Sequence, residues 1–187
     1  GSGRGLGAGA WRASEARFRS FVDHAMDGFF LFGEQRVVLD VNRQACESLG
    51  YSREELIGMH PCEFDAALDE ASIARLAERV NAGEIVTFES LHRRKDGTVF
   101  PVEVRVRQFQ QGAERFHLSL ARDISERRRA EEELRKSNVR LEEAQRIAHV
   151  GWWERDFSTG HVTLSDEVCR IFGLQPVDLP KWHERWL

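Results

Sequence analysis

The sequence predicts an α+β fold: a five-stranded antiparallel sheet with helices on one face, flanked by amphipathic helices at its N- and C-terminal ends. Three observations predict it. Two short apolar strand patterns are followed by several helical patterns and then by three longer strand patterns, an order that suits an antiparallel sheet with its helices on one side. The segment Arg122-Asp123-Ile124-Ser125-Glu126-Arg127 ends an alternating strand and begins a charged helix with no loop between them. Finally, the order glycine, strand, turn, strand, helix, glycine from Gly28 to Gly50 recurs at identical length from Gly151 to Gly173.

Each element has a local reason. Residues 1–10 are glycine-rich and polar and read as a flexible N-terminus or a tag. Within residues 11–26, Phe18, Phe21, Val22 and Ala25 repeat at helical spacing, and Trp11 lies one heptad earlier on the same stripe. That helix either packs on its own domain or forms a dimer interface through Trp11, Phe18, Phe21 and Val22. Gly28 ends it, Phe29 to Phe32 form a strand, Gly33-Glu34-Gln35 turns, and Val37 to Val41 form a second strand.

Asn42 is an N-cap ahead of Ala45, Cys46 and Leu49, with Gly50 as the stop. Ser52 and Glu55 have capping-box spacing before Leu56. Ile73, Leu76, Ala77 and Val80 mark another helix, ended by Gly83. Ile85 to Arg93 and Val99 to Gln110 pair through Asp96-Gly97. In the second of these, Phe100, Val102, Val104 and Val106 share one face. Arg115 to Arg122 completes a domain over residues 27–123. Residues 124–148 form a connecting helix in which Ile124, Leu134 and Leu141 keep heptad-type spacing amid polar positions, so it is either a weak coiled coil or a solvated linker. Residues 149–187 read as the start of a second copy that ends before its later strands.

Composition narrows the function. With 41% hydrophobic residues the chain can build a core, and no apolar run is long enough to cross a bilayer. A net charge of -4 gives no general attraction to nucleic acid, and Arg127-Arg128-Arg129 is balanced by Glu131, Glu132 and Glu133. Cys46, Cys62 and Cys169 lack paired spacing, which excludes a disulfide framework and a zinc site and points to a cytoplasmic protein. No nucleophile–base pair, phosphate loop or carboxylate pair stands in a catalytic context, so no catalytic residue and no metal ligand is assigned.

Several motifs together resemble the PAS domain family: Asp27-Gly28, Asp40-Val41-Asn42, Leu49 to Gly58, Arg94-Lys95-Asp96-Gly97-Thr98 and Arg122-Asp123-Ile124. The resemblance covers Phe18 to Arg127, and Gln145 to Leu174 as a second start. It implies a sensory module whose sheet and helices enclose a pocket, and whose signal leaves along the helix after the last strand. Arg122, Asp123, Ile124, Leu134 and Leu141 are the relay candidates. It further implies a homodimer and a downstream effector in the parent chain, a histidine kinase or alternatively a cyclic-di-GMP enzyme (diguanylate cyclase or phosphodiesterase).

The expected pocket is lined by Phe30, Phe32, Phe64, Leu76, Phe88, Phe100, Val102 and Val104, with Ser90, His92, His117 and Ser119 as polar handles. It holds either a small apolar or aromatic ligand or nothing, in which case the module only dimerises and relays. The flavin-binding branch of the family needs a cysteine where this chain has Pro61, with Cys62 one step late. It also needs amide side chains at positions held here by His92, Val102 and Ala121. Haem needs an axial histidine, for which His60 is the candidate, against its reading as a capping residue.

Overall fold

A computed structural model of the chain describes residue 20 and residues 22–174. The chain divides into two compact units, Gly1–Arg127 and Arg128–Leu187. The expected interface residues Trp11, Phe18 and Phe21 lie outside the described residues.

The first unit contains strands β1 (Gly28–Phe32) and β2 (Val38–Val41), then helices α1 (Arg43–Leu49), α2 (Arg53–Leu56), α3 (Pro61–Phe64) and α4 (Glu70–Asn81). Strands β3 (Val86–Arg93), β4 (Val99–Gln111) and β5 (Glu114–Asp123) follow. They form one antiparallel sheet in the order β2-β1-β5-β4-β3. Sequence-adjacent β1 and β2 pair at one side, and β5 returns to lie against β1.

Asn42 sets the corner between sheet and helices. Its Oδ1 accepts from Ala45 N at 3.0 Å, capping α1, and from Phe29 N at 2.8 Å. Its Nδ2 donates to the carbonyls of Val22 and Asp27 at 2.9 and 3.0 Å. All this happens at a residue only 1% exposed. Gly50 ends α1 at φ 75°, a conformation that a side chain disfavours. Ser52 and Glu55 close the capping box of α2.

The core forms where the inward side chains of the sheet meet these helices. Phe30, Val38, Val41, Ala45, Leu49, Leu56, Phe64 and Val104 belong to one buried cluster. Each large apolar side chain so buried contributes about 1.5–3 kcal/mol relative to exposure.

Ile124 departs from expectation. It lies between β5 and α5 (Ser125–Ala148), outside the helix, and is 2% exposed. Its N–H donates to Pro101 O at 3.1 Å, continuing the β4–β5 ladder by one residue. It is therefore a plug of the sheet rather than a heptad position. Leu134 and Leu141 are on α5, 64% and 57% exposed, and no residue of α5 is buried.

In the second unit, β6 (Trp153–Arg155) pairs with β7 (Val162–Leu164), and α6 (Asp166–Phe172) follows. Its corner repeats that of the first. Ser165 Oγ accepts from Val168 N at 3.3 Å and from Trp152 N at 3.0 Å, as Asn42 does from Ala45 and Phe29. Gly173 ends α6 at φ 66°, as Gly50 ends α1. Trp153 pairs with Leu164 as Phe30 pairs with Val41.

Candidate functional site

Between the inner face of the sheet and α4 lies a cavity of about 90 Å³. Strand alternation aims Phe30 and Phe32 of β1, Phe88 and His92 of β3, Val104 and Val106 of β4, and His117 and Ser119 of β5 at the same space. Helix α4 adds Ile73, Leu76, Ala77 and Val80, one stripe at helical spacing. Pro61, Phe64, Asp65 and Leu68 close one side, and Arg36 from the β1–β2 turn completes the wall.

The aromatic wall is ordered. Phe30 stacks on Phe64 at 5.4 Å between ring centroids and on Phe32 at 6.1 Å. His92 meets Phe30, Phe64 and Phe100 edge-on. Burial pushes the His92 pKa down to about 4, with nearby Asp65 opposing the fall, so the ring is neutral at pH 7.

Asp65 is buried and well supplied with donors. Its Oδ1 accepts from Ser90 Oγ at 2.8 Å and from the backbone N–H groups of Ala67 and Leu68 at 2.9 and 3.1 Å. Its Oδ2 lies 3.8 Å from His92 Nε2. At the other end, His117 Nε2 lies 2.8 Å from Asn81 Oδ1, and burial lowers its pKa.

Of the twelve expected pocket residues, Phe30, Phe32, Phe64, Leu76, Phe88, His92, Val104, His117 and Ser119 line the cavity. Phe100, Val102 and Ser90 do not; all three are buried beside it. Phe100 lies under the Arg94 guanidinium at 3.9 Å, Val102 fills the core, and Ser90 is turned to Asp65. Ile73, Ala77, Val80 and Val106 were available from the same periodicities that yielded Leu76 and Val104. Arg36 and Asp65 lie in irregular backbone and had no periodic signal.

The cofactors known from the family make a poor match to these residues. Pro61 lines the cavity and Cys62 does not, and burial raises the Cys62 thiol pKa, away from a reactive thiolate. Val102 and Ala121 bring no amide to a flavin ring. His60 heads α3, its N–H donating to Glu63 Oε1 at 2.7 Å, in a shallow depression with Glu70, Ala71 and Ala74. It does not line the cavity.

The strand–helix junction is held at several points. Arg122 grips Asp27 with two hydrogen bonds of 2.9 Å, tying the end of β5 to the start of β1. Asp123 Oδ1 accepts from Ser125 N at 2.8 Å at the head of α5. Arg127, one turn on, pairs with Glu89 of β3 and Glu103 of β4.

An antiparallel sheet closing a small cavity, with its last strand running into a long helix, is the architecture of a sensory module. The PAS domain family model matches residues 26–126, and the chain belongs to that family. It is 34% identical to the methyl sulfide methyltransferase-associated sensor of Methanosarcina acetivorans over 136 residues, 72% of this chain and 14% of the sensor. It is 24% identical to the probable diguanylate cyclase DgcE of Escherichia coli over 90% of this chain and 16% of that protein. The chain thus spans about one-sixth or less of the length of these curated relatives. The crystal structure of the PAS domain of an HTR-like protein from Haloarcula marismortui superimposes with a TM-score of 0.62 at 26% identity, covering 65% of this chain and all of that one. Signalling proteins that share the domain include histidine kinases as well as the cyclase. No helix among the described residues is long and apolar enough to cross a membrane.

Proposed function

We propose that residues 27–123 form the sensory PAS domain of a larger signalling protein, binding a small apolar or aromatic ligand and relaying its presence through α5. One observation carries this reading: β3 serves both sites. Its inward residues Phe88 and His92 wall the cavity, while its outward Glu89 holds Arg127 of α5. A ligand that moves β3 therefore acts on the helix, provided it favours one arrangement over the other.

Residues 149–187 are the beginning of a second PAS domain, supported by the repeated Asn42-type corner at Ser165. The parent chain dimerises, with Leu134 and Leu141 of α5 contributing, and passes the signal to an effector, a histidine kinase or a cyclic-di-GMP enzyme. The ligand-free alternative, a module that only dimerises and relays, is favoured by the same uncovered leucines.

Phe88→Trp distinguishes the two. Thermal unfolding of wild type and variant is measured against a panel of single-ring compounds. A compound at about 100 times its Kd adds about 2.7 kcal/mol, several degrees in Tm. Stabilisation of wild type but not of Phe88→Trp is the expected result. If no compound stabilises wild type and Phe88→Trp raises Tm by filling the space, the ligand-free module replaces the sensor.

A further inference from the structure

We infer that the cavity selects a single-ring or short-chain apolar carboxylic acid, its carboxylate held by Arg36. This rests on the ligand-sensing reading and names the chemistry of that site.

Among the described residues, Arg36 is the only cation lining the cavity. Among the described residues no carboxylate forms an ion pair with it, and the nearby Glu34 is instead 3.9 Å from Arg115. Arg36 also reaches the surface depression that contains His60 and Glu70, so it stands where the cavity meets solvent. Its backbone is held at φ 62°, left-handed and uncommon for a residue with a Cβ. Local backbone strain of this kind gathers at ligand clamps.

The cavity has two chemically different ends. Strand register sets His92 opposite Phe100 and His117 opposite Gln108, at distant points along β4. At the His92 end stands Asp65, which repels an anion and whose Oδ1 already has three donors. At the His117 end stands Arg36, close enough to lower the His117 pKa further through its charge. Gln108, paired with His117 along β4 and outside the cavity lining, has a buried Oε1 with no partner among the described residues. Between the two ends the wall is phenylalanine and aliphatic side chains. A bound acid thus lays its apolar part against Phe30, Phe32 and Phe88 and turns its carboxylate to Arg36, whose fork suits a carboxylate. A volume of about 90 Å³ exceeds the roughly 10–15 Å³ that one water needs but is below the roughly 150 Å³ of a closed cavity that takes benzene, so a ring enters with its carboxylate outside, at the mouth beside Arg36.

Binding of benzoate, benzamide, benzylamine and toluene is measured by ligand-observed NMR and calorimetry on wild type, Arg36→Gln and Arg36→Gly. Arg36→Gly keeps the turn, since glycine accepts the left-handed backbone. The expected result is benzoate binding roughly 10-fold or more tighter than benzamide in wild type, with that advantage lost in both variants while toluene still binds. Equal binding of benzoate and benzamide, insensitive to Arg36, overturns the carboxylate assignment while leaving the ligand-sensing reading intact. Preference for benzylamine overturns it in favour of Asp65. Failure of all four probes to bind overturns the assignment together with the reading beneath it.

Discussion

Arg127, in the first turn of α5, donates from Nη2 to Glu89 Oε1 on β3 at 2.5 Å, and its Nη1 lies 3.5 Å from Glu103 Oε2 on β4. The outer face of the sheet thus holds the head of the helix at its two last-ordered strands, β4 and β3. All three side chains are substantially exposed, so water screens the attraction and the contact orients more than it stabilises.

Replacing Glu89 by Gln is therefore expected to change the unfolding free energy by less than about 1 kcal/mol. It should nevertheless raise amide hydrogen exchange over the first turn of α5. Unchanged exchange there would remove Arg127 from the relay.

Asn42→Ala should destabilise the first unit by about 3 kcal/mol, since it removes a helix cap and leaves buried backbone groups unpaired. Asn42→Ser, which imitates the Ser165 corner, keeps the acceptor but loses the bonds to Val22 and Asp27, and should cost less. Urea unfolding of the two variants checks the order; a larger loss in the serine variant contradicts this account of the corner.

His92 makes stability depend on pH. Its folded pKa, lowered to about 4 by burial, lies below the unfolded value of 6.5. Between those values the unfolded chain binds a proton that the folded chain does not. Stability is then fully present above about pH 6.5 and is lost as pH falls toward 4, by about 3 kcal/mol. His92→Phe should flatten that limb of the denaturation-midpoint profile between pH 7 and pH 5. An equally steep profile in the variant would mean another group is responsible.

Leu134→Glu combined with Leu141→Glu should convert the proposed dimer to a monomer in sedimentation, with the melting of the first unit unchanged. Both side chains are exposed, so the double change costs the fold little. A dimer that survives it does not use this stripe.

By itself the sequence determined the elements and their order, because each rests on neighbours along the chain. Asn42 and Ser52 cap, Gly50 and Gly173 stop, and alternation along Val99 to Gln111 names the buried face. The repeat of Gly28–Gly50 at Gly151–Gly173 was equally legible, since it is a comparison of the chain with itself. Only the tertiary structure decided which buried residues face open space. Phe88 and Phe100 obey the same alternation, yet one lines the cavity and the other lies against Arg94 and His92. The pairing of Asp65 with Ser90, the arrival of Arg36 at the cavity mouth and the removal of Ile124 from its helix depend on residues far apart in the chain. Periodicity reports which way a side chain points along its own element, and carries no information about what another element brings to meet it.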